Sequence, residues 1–181
     1  MLAEENNMNK SNIRFSTKII AEIAVFVALA SALSYIKLFS LPQGGSVTAG
    51  SMVPILWLAL RRGGKIGVFT AAVYGCVQLV FEPFIFHPAQ VLLDYPLAFG
   101  MLGVAGFFQN RPFVGVNLGI AGRFLAHFVS GIVFFAEYTP EGMHPWVYSA
   151  IYNGSYLLPE LVISVYIVYL LQEGKLLKIF L

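Results

Sequence analysis

The chain has 181 residues, of which 58% are hydrophobic and 11% charged, and its net charge is +2. These proportions exclude an ordinary soluble domain, and at about 20 apolar residues per crossing the length holds six membrane helices and little else. The small positive balance gives no reason to invoke nucleic acid, and the single cysteine, Cys76, excludes an internal disulfide and reads as packing against core or lipid.

Residues 1–12 are polar and read as a disordered tail. They lack a signal-peptide layout, because the apolar stretch after them is too long and no small-residue cleavage site follows it. Residues 13–181 read as one six-helix domain. The first helix is expected from roughly Phe15 to Leu38. Within it Ala21, Ala24, Ala28 and Ala32 recur at steps of three and four, a smooth ridge that fits either internal packing or a docking face for another protein. Lys18 and Glu22 form an i,i+4 pair near one end.

Leu41–Gly50, rich in Gly with Pro and Gln, reads as a re-entrant or capping loop. The second helix, roughly Ser51 to Leu60, is short and contains Pro54. It should begin inside the protein, where its backbone is shielded from lipid. A third helix runs from after Lys65 to about Phe81. The fourth spans Pro88 to Phe108 and carries Asp94, Tyr95 and Pro96. The fifth spans Pro112 to Tyr138, with Gly115 and Gly119 spaced for close helix contact, and the sixth runs from Pro145 to Leu171 with a kink at Pro159.

Lys and Arg punctuate every second turn: Arg14/Lys18, Arg61/Arg62/Lys65, Arg111 and Lys175/Lys178. The intervening turns near Gln43–Ser46, Glu82–His87 and Glu137–His144 carry none. Cytoplasmic loops collect cations, so the pattern predicts an all-α membrane protein with six crossings and both termini in the cytoplasm. Lys37 is the exception, and it can snorkel to the headgroups.

Ionisable and polar residues within such spans face a cavity or one another. Asp94 follows Gln90 by four residues, with Tyr95 beside it. A carboxylate among aromatic rings suits an organic cation; the alternative is an anion that stabilises a helix N-terminus. On the fifth helix Arg123, His127, Ser130, Gly131 and Phe134 form a stripe. Its His127 and Ser130 are placed to hydrogen-bond a heterocycle, and Arg123 is expected to pair with Glu160. On the sixth, Tyr148, Tyr152 and Tyr156 accompany Asn153, whose amide presents a donor and an acceptor side by side. No HExxH, CxxC, GxSxG or GxxxxGK[ST] motif occurs, and the one Ser–His pairing, Ser130 with His127, lies on a single helix. The expectation is a binding protein rather than an enzyme, with no cofactor and no metal.

Gln43-Gly44-Gly45-Ser46, Met52-Val53-Pro54-Ile55 and Leu60-Arg61-Arg62-Gly63 resemble the substrate-binding S components of energy-coupling-factor (ECF) transporters. The stretches His87 to Phe99 and Tyr148 to Tyr156 are similar to the thiamine-specific ThiT branch. The resemblance implies a prokaryotic plasma-membrane protein that binds thiamine from outside. It also implies docking, through Ala24, Ala28 and Ala32, on a module of one transmembrane coupling subunit and two ATP-binding cassette ATPases. It carries ligand contacts onto Asp94, Tyr95, His127, Tyr148 and Asn153, a close ring approach onto Gly131, and stacking onto Phe135. Asp94 stands where the family often has Glu, and Phe135 where relatives have Trp. Rival readings are an S component for another vitamin or heterocycle, a standalone secondary transporter, and a structural membrane subunit; the second sits poorly with a chain that shows no internal duplication.

Overall fold

The computed structural model describes residues 16–175, so the polar N-terminal segment and the cations Arg14 and Lys178 lie outside the described residues. Six helices carry the fold: α1 (Thr17–Ser34), α2 (Val53–Arg62), α3 (Gly64–Phe81), α4 (Pro88–Phe108), α5 (Pro112–Phe134) and α6 (Pro145–Glu173). Pro stands in the first turn of α2, α4, α5 and α6, where its missing N–H is no loss. All but α2 are long and apolar enough to cross a membrane. Their outward residues are apolar too, Val25 and Val162 being 63% and 69% exposed. The small residues of α1 divide: Ala30 and Ser31 are buried, while Ala24, Ala28 and Ala32 lie on the exposed face.

Helix α2 has ten residues, about 15 Å at 1.5 Å per residue, half the thickness of a hydrocarbon layer. Its entry is buried, as expected of a helix that starts inside the protein: every residue from Ser51 to Leu56 is shielded. Ile55, Leu56 and Leu58 form the centre of a core completed by Val27 of α1, Tyr74 of α3, Leu102 of α4 and Val116 of α5. Gly115 and Gly119 do make the close contact expected of them, since a Cβ there would stand 2.7 Å from Ala105 O and 3.1 Å from Leu102 O.

Several details depart from the sequence expectations. The segment after α1 is an antiparallel hairpin of β1 (Lys37–Ser40) and β2 (Ser46–Thr48), so the fold is not wholly helical. Its turn is tight, with positive φ at Gln43 and Gly44. Lys37 ion-pairs with Glu82 at 2.6 Å instead of snorkelling. Glu22 accepts from Nε and Nη2 along one edge of the Arg62 guanidinium, so its ion-pair partner among the described residues lies on α2 and not at Lys18 one turn away. Helix α5 ends at Phe134, four residues early, and a short 3-10 turn, Ala136–Tyr138, follows. Cys76 is exposed, which agrees with the lipid-facing alternative expected for it and not with the core one.

Helix α4 is not regular. Residues Leu93–Leu97 form a π turn in which Ala98 N–H reaches back five residues to Leu93 O. Pro96 lies inside it and cannot donate to the ladder, and the widened turn accommodates the proline ring. On the α3 side Gly75 permits the approach, because a Cβ there would come within 2.4 Å of Tyr95 O. This turn carries Asp94.

Candidate functional site

A cavity of about 170 Å³ lies between α3, α4, α5, α6 and the hairpin turn. Its polar lining includes Glu82, Asp94, Arg123 and His127; its aromatic lining includes Phe84, Tyr95, Phe135, Tyr138 and Tyr148. The turn Gln43–Ser46 closes the remaining side, next to Tyr152 and Tyr156.

Asp94 is the seventh residue of α4, beyond the first turn where a helix dipole acts, so the dipole reading does not explain it. Three donors hold its carboxylate. Ser130 Oγ and Gln90 Nε2 donate to Oδ2 at 2.9 and 2.8 Å, and His127 Nδ1 lies 2.9 Å from Oδ1. A carboxylate offers about four acceptor positions, so roughly one remains for a guest. Gln90 is otherwise consumed by the α3–α4 connection, donating to Phe84 O and accepting from Phe86 N–H. Ser130 is fully buried behind the acid and does not line the cavity. These two residues orient Asp94.

The His127 ring has both nitrogens engaged: Nδ1 on Asp94 and Nε2 with Arg123 Nε at 3.3 Å. It offers the cavity a ring face rather than a free nitrogen. The expected Arg123–Glu160 pair is not formed. Arg123 instead lies over the Phe99 ring at 4.0 Å and donates to Met52 Sδ at 2.9 Å. Glu160 Oε1 accepts from Thr48 N–H and Oγ1–H at 2.5 and 2.6 Å, anchoring the base of the hairpin. Helical periodicity gave each residue its face and depth, but not which neighbouring element would meet it.

Asn153 lines the cavity but its amide is largely occupied, donating to Ser149 O and accepting from Tyr156 Oη. Gly131 is needed for helix contact: a Cβ there would meet Ser149 Oγ at 2.2 Å. Tyr95 turns a ring to the cavity while its hydroxyl accepts from Phe84 N–H and donates to Glu82 O, both at 2.8 Å. Tyr152 accepts from Gly45 N–H at 3.0 Å and donates to Pro42 O, tying the turn down. Phe135 packs among Phe84, Phe86 and Tyr138, with ring centroids about 6 Å apart. Tyr148 has a half-buried ring, and its hydroxyl has no hydrogen-bond partner among the described residues.

Sequence reasoning passed over Gln78, Glu82, Phe84, Phe99 and Tyr138 as cavity residues. Gln78 was open to discovery, as a buried amide in an otherwise apolar span. Glu82, Phe84 and Tyr138 depend on the path of the α3–α4 and α5–α6 connections, and Phe99 on the rotation of α4.

Apolar exterior helices around an internal cavity with polar and aromatic walls define a multi-pass membrane protein built to hold a small molecule. The family model described as "Thiamine transporter protein (Thia_YuaJ)" matches residues 20–180, and the chain belongs to that family, in its ThiT branch. Two relatives bear the name "Thiamine transporter ThiT". The protein of Bacillus subtilis (strain 168) is 34% identical over 91% of this chain and 93% of its own length. That of Lacticaseibacillus paracasei is 31% identical over 83% and 84%. The solved structure of ThiT from Listeria monocytogenes superposes with a TM-score of 0.78 at 25% identity, covering 86% of this chain and 93% of that one.

Proposed function

We propose that this chain is the thiamine-capturing S component of an ECF importer. The observation that carries the reading is Asp94: a carboxylate fixed by three donors on the wall of an aromatic-lined cavity, with acceptor capacity to spare. The cation of thiamine sits against Asp94, and its rings lie against Tyr95 and Phe135. The Tyr148 hydroxyl supplies a polar contact to the ring edge, while Asn153, Gly131 and Tyr152 shape the wall that Tyr148 belongs to. Gln90, Ser130 and His127 act through Asp94.

The chain crosses the plasma membrane six times, the hairpin and the short α2 together making the second crossing, with both termini in the cytoplasm, a topology supported by the cation pattern. Ala24, Ala28 and Ala32, exposed on α1, form the docking ridge for the coupling subunit and its two ATPases. ATP hydrolysis in that module reorients the bundle and releases thiamine inside.

Calorimetric titration of the purified protein with thiamine tests this, and absence of binding at micromolar ligand rejects it. Removing one partner of a desolvated charge contact costs about 2 kcal/mol or more, so Asp94→Asn should weaken thiamine at least about 30-fold. If Asp94→Asn left affinity unchanged and an uncharged vitamin bound instead, the S component would serve another heterocycle.

A further inference from the structure

Arg123 is half-buried among groups that do not pair its charge. Its guanidinium is held by the Phe99 ring face, by Met52 Sδ and by the ring of His127, and no carboxylate among the described residues lies within ion-pair distance of it. Such an expensive residue in a membrane span calls for a role. Its geometry with His127 supplies one. A guanidinium can only donate hydrogen bonds, so His127 Nε2, facing Arg123 Nε, must present its lone pair. The single ring proton then sits on Nδ1 and is donated to Asp94 Oδ1.

We propose that Arg123 is a positioning residue that holds His127 as the neutral Nδ1–H imidazole, so that Asp94 remains an uncompensated anion for a cationic guest. Without Arg123, the imidazole beside Asp94 is free to take a second proton. The resulting imidazolium would neutralise the acid and compete with the ligand's own charge. Among the described residues, the charged groups that act on the ring are Asp94 from α4 and Arg123 from its own helix; Tyr156 of α6 stands against it, and Glu160 of α6 acts on Tyr156 and Arg123. The inference rests on the proposed binding of an organic cation at Asp94, but the state of the histidine can be read without any ligand.

The test uses the full chain in lipid nanodiscs with 15N-labelled histidine, His127 being assigned by subtraction against His127→Gln. In the wild type, Nδ1 should be protonated and Nε2 bare throughout about pH 6 to 8, the range in which an imidazole otherwise changes charge. Arg123→Gln places a carbonyl that can accept from Nε2–H. In this variant His127 should become doubly protonated as the pH falls. Thiamine affinity, flat across that range in the wild type, should then drop by about tenfold per pH unit once the imidazolium dominates. The double variant Arg123→Gln/His127→Gln should be flat again, which general damage to the fold would not produce. A wild-type His127 protonated on Nε2, or a flat profile in Arg123→Gln, overturns the proposal. If Arg123→Gln does not fold, Arg123→Lys decides with the same spectra: a donor-only cation should preserve the Nδ1–H form, and its loss would count against the proposal. A wild-type protein that binds no thiamine yet shows the bare Nε2 would defeat the proposed function and leave the tautomer control standing.

Discussion

At the scale of single residues, the wall of the cavity depends on atoms that are absent as much as on those present. Gly131 and Ser149 bring α5 and α6 together at a distance that no Cβ tolerates. Gly131→Ala should destabilise the bundle by about 1–3 kcal/mol through overpacking and weaken thiamine binding, as read by thermal unfolding and titration. Adding Ser149→Ala removes the hydroxyl that the new methyl would strike, so the double variant should recover part of the loss. The acid of the site was legible in the sequence, because a lone carboxylate in an apolar span demands a cavity or a partner. Its three supports were legible only as polar residues on helix faces. Gln90 was placed beside Asp94 by its four-residue spacing, but that Ser130 and His127 reach the same acid depends on the rotation of α4 against α5, which periodicity within one helix does not encode. Arg123 was assigned to Glu160 for the same reason: opposite charges at comparable depth look like partners until the azimuth is known, and a thioether acceptor from α2 leaves no trace in a charge pattern.

At the scale of elements, the long helices were readable from apolar runs and from Pro88, Pro112 and Pro145 at their starts. The hairpin was not. Its first strand is exposed throughout, shows no alternation of burial and contains a bulge between Lys37 and Phe39, so it carries none of the usual signals of a strand. What holds it is tertiary: Thr48 on Glu160, Lys37 on Glu82, and the Tyr152 hydroxyl bonded to both sides of the turn. Tyr152→Phe removes the two hydrogen bonds that hold the turn against the cavity, worth about 1 to 2 kcal/mol together. Stopped-flow measurement should show thiamine leaving about five to thirty times faster. An unchanged release rate would mean that the turn does not restrain the guest. The π turn of α4 was equally hidden, since it arises from Pro96 and from the close passage of Gly75, which come together only in the folded chain.

At the scale of the whole molecule, the docking ridge proposed on the exterior of α1 allows capture and coupling to be tested apart. Ala28 is exposed on that helix and lies outside the cavity, so Ala28→Trp should leave thiamine titration unchanged. It should abolish co-purification with the coupling subunit and uptake into cells, because a bulky ring prevents close helix approach. Loss of binding together with uptake would instead point to damage within the bundle. A last consequence follows from the length of α2. Its N-terminal end stops at Met52, whose sulfur touches Arg123 on the cavity lining. Five tall helices thus surround one of half height, and the guest's room is the storey that the sixth never built. Two further helical turns in place of the hairpin would give a solid bundle, well packed and with nowhere to put a vitamin.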